Sequence, residues 1–220
     1  SLTYTLYITA YLYPMVPGCG GAVVFGGGTL DFGDGSAPVE GLNGNPNVDT
    51  VFVNRPLGEC IVATRYKIEH TYSSNGNYIV RYNEANRNDG ILNMDNSVNT
   101  RFYIETFIRI DPFLGCNNSP AMLIPPIDYG CKDVAFYHNP GAYDVDGDSL
   151  AFEFVTPRKA VGTNVDNYRP LNDPSFDGLT EDQLGPATLT IDAVTGDIVW
   201  NSPGKAGEYN VAFVVREYRK

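Results

Sequence analysis

LTYTLYITAYLY, residues 2–13, sets Leu2, Tyr4, Leu6 and Ile8 at every second position. A period of two places them on one face of an extended strand and puts Tyr7, Tyr11 and Tyr13 on the other. The same texture returns at 61–69, 78–83 and 98–110, where Phe102, Ile104, Thr106 and Ile108 alternate with Tyr103, Glu105 and Phe107. It recurs at 134–137, 149–156, 187–191, 197–201 and 208–218. Asn- and Gly-rich loops separate these segments, and runs of good helix formers are nearly absent. With 15 Tyr, 11 Phe, 23 Gly and 15 Pro in 220 residues, the composition supplies strand and turn formers. The chain is expected to be all-β.

Residues 111–126, DPFLGCNNSPAMLIPP, change that texture: Pro112, Pro120, Pro125 and Pro126 deny the backbone continuous ladder bonding. A domain boundary is placed here, giving modules at 1–112 and 113–220, each near the ~100 residues of a sandwich domain. IDAVTGDIVW, residues 191–200, reads as a hairpin turning at Thr195-Gly196. The final strand is still patterned at Lys220, so the second module is expected to be cut at its C-terminal end. No signal peptide is expected, because the chain opens directly on alternation, without a basic region, an apolar run and a cleavage site.

Fifteen Lys and Arg against 26 Asp and Glu give a formal net charge of −11. That balance argues against nucleic acid, whose phosphates are met by Lys and Arg, and favours cations over anions as ligands. Division at residue 110 leaves −3 before and −8 after, so the acidic excess lies in the second half. Apolar runs fall short of the roughly 18 residues of a membrane span, and no membrane insertion is expected.

Cys19, Cys60, Cys116 and Cys131 include no C-x-x-C spacing of a zinc or redox site. Disulfides are the preferred reading. Of three connectivities, Cys19 with Cys60 and Cys116 with Cys131 leaves the modules independent; the alternative is free thiols in a cytosolic protein. The second bridge would close a short loop and contribute about 3 kcal/mol in the chain-entropy model.

LDFGDGS at 30–36, HTY at 70–72 and GNYIV at 76–80 occur in that order. Gly33 and Gly35 permit positive φ in a tight turn, and Asp34 can bond its own backbone. Together these pieces resemble the PKD (polycystic kidney disease) repeat over roughly 1–110, with an insertion near 37–60. One departure is Asp31, where the family usually places Trp. DVDGDSL at 144–150, ID at 191–192, TG at 195–196, Trp200 and the Tyr209-x-Val211 pattern look like a cadherin-like, dystroglycan-type Ig domain. The wider string NNSPAMLIPPIDYGC…FYHNPGAYDVDGDSLAFEFVTPR is similar to segments of large Bacteroidetes surface proteins associated with gliding motility and type IX secretion. These resemblances imply two tandem antiparallel immunoglobulin-like β-sandwiches. They also imply an extracellular, cell-surface location and a structural or adhesive role whose partners are neighbouring domains or other surface proteins.

Asp144, Asp146 and Asp148 alternate around Gly147, an arrangement able to gather carboxylate oxygens about Ca²⁺. The EF-hand pattern is incomplete, since Val155 stands at the twelfth position, so further ligands must come from Asp128 or Asp192. The other reading makes these acids solvated turn residues. His70 and His138 fall in different modules, which argues against a two-histidine metal or catalytic pair, and His70 is read as structural. No nucleophile elbow, H-E-x-x-H helix or phosphate loop is present, and no enzymatic activity is expected. Gly26–Gly27–Gly28 reads as a bend or bulge. The Tyr stripe of the first strand leaves polysaccharide recognition as the second functional reading.

Overall fold

The computed structural model describes residues 2–13, 25–58 and 60–219. Among them the chain is all-β, built from several antiparallel sheets, and its helical turns are two short 3₁₀ segments, Ser97–Asn99 and Pro174–Phe176. No helix among the described residues is long and apolar enough to cross a membrane. The chain divides into two compact units. The first comprises Ser1–Asn88, Val98–Gly115 and Lys159–Val161; the second comprises Asp89–Ser97, Cys116–Arg158 and Gly162–Lys220. One change of unit, at 115/116, lies near the expected junction at 112. The chain also changes unit at 88/89, 97/98, 158/159 and 161/162, which no composition shift announces.

The first unit holds β1 (Thr3–Leu12), β2 (Thr29–Asp31), β3 (Val39–Glu40), β4 (Asp49–Gly58), β5 (Ile61–Thr71), β6 (Gly76–Glu84) and β7 (Phe102–Ile110). One sheet runs β1-β5-β4 and another runs β3-β2-β6-β7. The alternation read in β1 is what lets them face each other. Leu2, Tyr4, Leu6, Ala10 and Leu12 pack against a buried cluster that includes Ile8, Tyr66 and Ile68 from the first sheet and Leu30, Val80, Tyr82 and Ile110 from the second. Each such apolar side chain withdrawn from water favours folding by roughly 1.5–3 kcal/mol.

The span at 37–60, expected as an insertion, contains a full strand, β4. It pairs with β5 through three register shifts, and Asn54 takes φ 49° within it. Bulges and Pro56 are tolerated there because β4 lies at the end of its sheet, where a missing N–H removes no second ladder bond.

The second unit holds β8 (Ala121–Met122), β9 (Phe136–His138), β10 (Ala142–Tyr143), β11 (Ser149–Val155), β13 (Thr163–Asn164), β14 (Thr188–Ile191), β15 (Ile198–Asn201) and β16 (Ala212–Tyr218); β12 (Arg158–Ala160) spans the change of unit at 158/159. Its sheets pair β11 with β16, β15 with both β14 and β9, and β8 with β10. Trp200 and Phe176 both meet the Tyr209 ring edge-on, at 4.9 and 5.2 Å between centroids, and Phe152, Val165, Leu171 and Ile198 are buried around this unit's interior. The expected 191–200 hairpin is present. Asp192 Oδ1 accepts from Val194 N and Thr195 N, and Gly196 turns at φ 76° where a Cβ would stand 2.9 Å from the Phe152 ring.

The last strand starts at Ala212 rather than 208. Asn210 uses its N–H and C=O on the Asn93 side chain, and Glu208 O accepts from Leu92 N, so these groups are withdrawn from any longer ladder.

Candidate functional site

The Gly33–Asp34–Gly35 turn of the first unit is tied to the later HTY segment. Gly33, at φ 76°, passes so close to the chain that a Cβ would stand 2.3 Å from Ile79 O. Asp34 accepts from Ser36 N at 3.0 Å, Ser36 Oγ at 2.6 Å and His70 Nε2 at 2.8 Å. Burial alone would raise the Asp34 carboxyl, but the hydrogen bonds from Ser36 and His70 outweigh it and hold the pKa at about 2. An ionised carboxylate only accepts, so His70 Nε2 carries the proton.

The His70 ring lies flat on Phe32, 3.7 Å between centroids, and edge-on to Tyr72, whose hydroxyl donates to Phe32 O. Burial and the neighbouring negative charges lift Tyr72 to about 12. The arrangement is a polar clasp inside an aromatic core. Asp31, standing where the PKD pattern has Trp, accepts from Gly33 N and pairs with Arg81 at 3.2 Å. A groove beside it, lined by Thr29, Asp31, Pro38, Arg81 and Asn83, holds groups already bonded to one another, Thr29 Oγ1 donating to Glu40.

In the second unit the 144–148 turn is organised by Asp144. Its Oδ1 accepts from Asp146 N at 2.9 Å and Asp148 N at 3.1 Å. Its Oδ2 is buried without a hydrogen-bond partner, as is Asn117 Oδ1. Asn117 Nδ2 donates to Glu217, whose carboxyl is raised by burial and by the charges of Asp144 and Asp148, against that hydrogen bond. Arg219 Nε stands 3.8 Å from Asp148, whose side chain is 7% exposed. Asp146 instead accepts from Asn118 N and Nδ2, fixing the 116–118 segment. Asp192 caps its own hairpin, and those backbone donors lower its carboxyl. Asp128 pairs with His138 Nδ1. Among the described residues no group of three or more His, Cys, Asp or Glu side chains forms a ready-made metal site. The four acids expected to share a cation thus divide: Asp144 and Asp148 lie with Glu217, while Asp146 and Asp192 serve other segments.

The expected Cys116–Cys131 bridge is not formed; both are free, exposed thiols. Different anchors hold them. Cys116 O accepts from Arg219, whereas Cys131 heads a turn to Val134 in which Asp133 N donates to Pro203 O. Cys60 is not a free thiol, and Cys19 lies outside the described residues.

Among the buried polar side chains of the described residues, Glu84 and Asn93 carry no sequence signal. Glu84, 8% exposed, accepts from Gly26 N and the Tyr82 hydroxyl. Gly26 in turn sits where a Cβ would meet the Tyr66 ring at 2.7–2.9 Å, and Gly28 where it would meet Asn83 O at 1.9 Å, which explains the glycine run. Asn93, fully buried, donates to Arg169 O and Asn210 O and accepts from Asn210 N. An Asn in a loop-like stretch carries no signal of its own; only the distant chain it bonds reveals its role.

Comparison with known protein families, curated proteins and solved structures returns no match.

Proposed function

We propose that this chain is a non-catalytic structural or adhesive segment of a large exported bacterial surface protein, composed of immunoglobulin-like modules and stiffened by calcium. Support comes first from the way polar groups are used: Asp34, His70, Asp31 and Arg81 clasp one turn, and Asp192 caps another. The PKD-like and cadherin-like motifs, and the resemblance of residues 117–158 to gliding-associated surface proteins, support a cell-surface location and, as partners, neighbouring domains or other surface proteins.

The observation that carries the calcium reading is the crowding of Asp144, Asp148 and Glu217. Burial and like charge raise Glu217, and the oxygens Asp144 Oδ2 and Asn117 Oδ1 are buried without donors. Oxygen donors of this kind suit a hard divalent cation, which would neutralise the repulsion. Asp144, Asp148, Glu217 and Asn117 would hold it.

Thermal unfolding of the 220-residue chain in calcium and in chelator tests this. Asp144→Asn keeps the Oδ1 acceptor of the turn and removes the charge. A midpoint that rises with calcium in the parent and stays fixed in the variant is expected; a calcium response equal in both, or absent from the parent, overturns the cation reading.

A further inference from the structure

On the solvent side of β1-β5-β4, aromatic rings and guanidinium groups alternate. Arg65 lies 6.0 Å from the Tyr7 ring and 5.4 Å from Phe52, and Arg55 lies 5.5 Å from the same Phe52. Thr9 and Phe52 stand opposite Arg65 on its two sides, while Tyr7 stands opposite Lys67 and Arg55 opposite Ala63, so the four side chains form a diagonal row across neighbouring rungs. Three strands at about 4.8 Å spacing make that row roughly 10 Å across. Tyr7 is 59% exposed, and Arg55 is exposed.

The charges on this face are unbalanced in a particular way. Its carboxylates, Asp49 and Glu69, both turn to Lys67, at 3.7 and 3.1 Å. Arg65 Nε donates to Thr9 Oγ1, and among the described residues neither Arg65 nor Arg55 has a carboxylate partner. In a chain of net charge −11, two guanidinium groups that meet no carboxylate among the described residues and are pre-oriented by aromatic rings form an anion-accepting row.

From this face we infer that the first unit binds an acidic polysaccharide, one whose sugar rings carry carboxylates. Tyr7 and Arg55, both exposed, lie within reach of a polymer running across the sheet. Tyr7 offers a ring for a sugar face to lie on, and the Arg55 and Arg65 forks match carboxylates in bidentate geometry. Neutral glycans would engage the ring and leave both forks unmatched. The inference goes beyond the structural reading above and is independent of calcium: its readout is binding, whereas the calcium test reads an unfolding midpoint, so either can fail alone.

Titration calorimetry of the 220-residue chain with oligogalacturonate, a neutral malto-oligosaccharide and single-stranded DNA tests it. Oligogalacturonate should bind, more weakly as salt rises, and the neutral sugar at least tenfold more weakly. The Arg55→Gln/Arg65→Gln pair should lose at least tenfold in affinity for oligogalacturonate. The exposed Tyr7→Ala should lose several-fold, with an unchanged unfolding midpoint showing that the fold is intact. No binding of oligogalacturonate, equal affinity of parent and arginine variant, or tighter binding of DNA than of the uronate would each overturn it.

Discussion

Asp34 accepts three hydrogen bonds, and this gives the first unit a defined acid sensitivity. The folded group titrates near 2, against 3.8 for an unperturbed one. Ionised Asp34 therefore favours folding above about pH 4, and that contribution is lost as pH falls towards 2. Asp34→Asn should cost about 1–2 kcal/mol at neutral pH and flatten the acid-unfolding curve between pH 4 and 2, as followed by tyrosine fluorescence. Glu217 has the opposite sign. Its folded pKa is raised, so its ionised form opposes folding at neutral pH, and protonation relieves the cost as pH falls. Glu217→Gln keeps the acceptor for Asn117, and in chelator it should raise the unfolding midpoint; a lower midpoint would mean that the carboxylate charge is needed even without a cation. The sequence foretold part of this. Gly33-Asp34-Gly35 and His70 were legible because their spacing is local and ordered, whereas the meeting of Asp144 with Glu217 depends on a register no local pattern contains.

Among the elements, β1, β5, β6 and β7 were readable because one face of each is buried and the other wet, so hydrophobic alternation survives in the sequence. β4 was missed since its three register shifts break the period and Pro56 reads as a stop. The start of β16 was placed early because GEYNVAFVV alternates through residues whose backbone is given to Asn93. Asn93 is therefore an element-scale determinant. Asn93→Ala removes one side chain and its bonds to Arg169 O, Asn210 O and Asn210 N, of which Asn210 O keeps the Tyr168 hydroxyl, at a cost on the order of 2–4 kcal/mol. Denaturant unfolding should show that loss, and amide exchange should quicken at Asn210; a cost below about 1 kcal/mol would mean water replaces the amide.

At the scale of the molecule, the decisive fact is that neither unit is a continuous stretch. A protein cut at the proline-rich passage would give 1–112, lacking Lys159–Val161, and 113–220, lacking Asp89–Ser97 and with it Asn93. The second fragment loses the hydrogen bonds of Asn93 to Arg169 and Asn210 together with those of Leu92 and Asp95, so 113–220 should show faster amide exchange and a lower unfolding midpoint than the same residues in the whole chain. Addition of a synthetic 89–97 peptide should restore part of the difference. Composition and proline content can mark a place where texture changes, but a nine-residue excursion leaves too faint a trace to be read.

That excursion also bears on descent. A recombination breakpoint between 97 and 159 would separate each unit from a piece of itself. Recombination that preserves both must carry the whole stretch together, as a single heritable cassette.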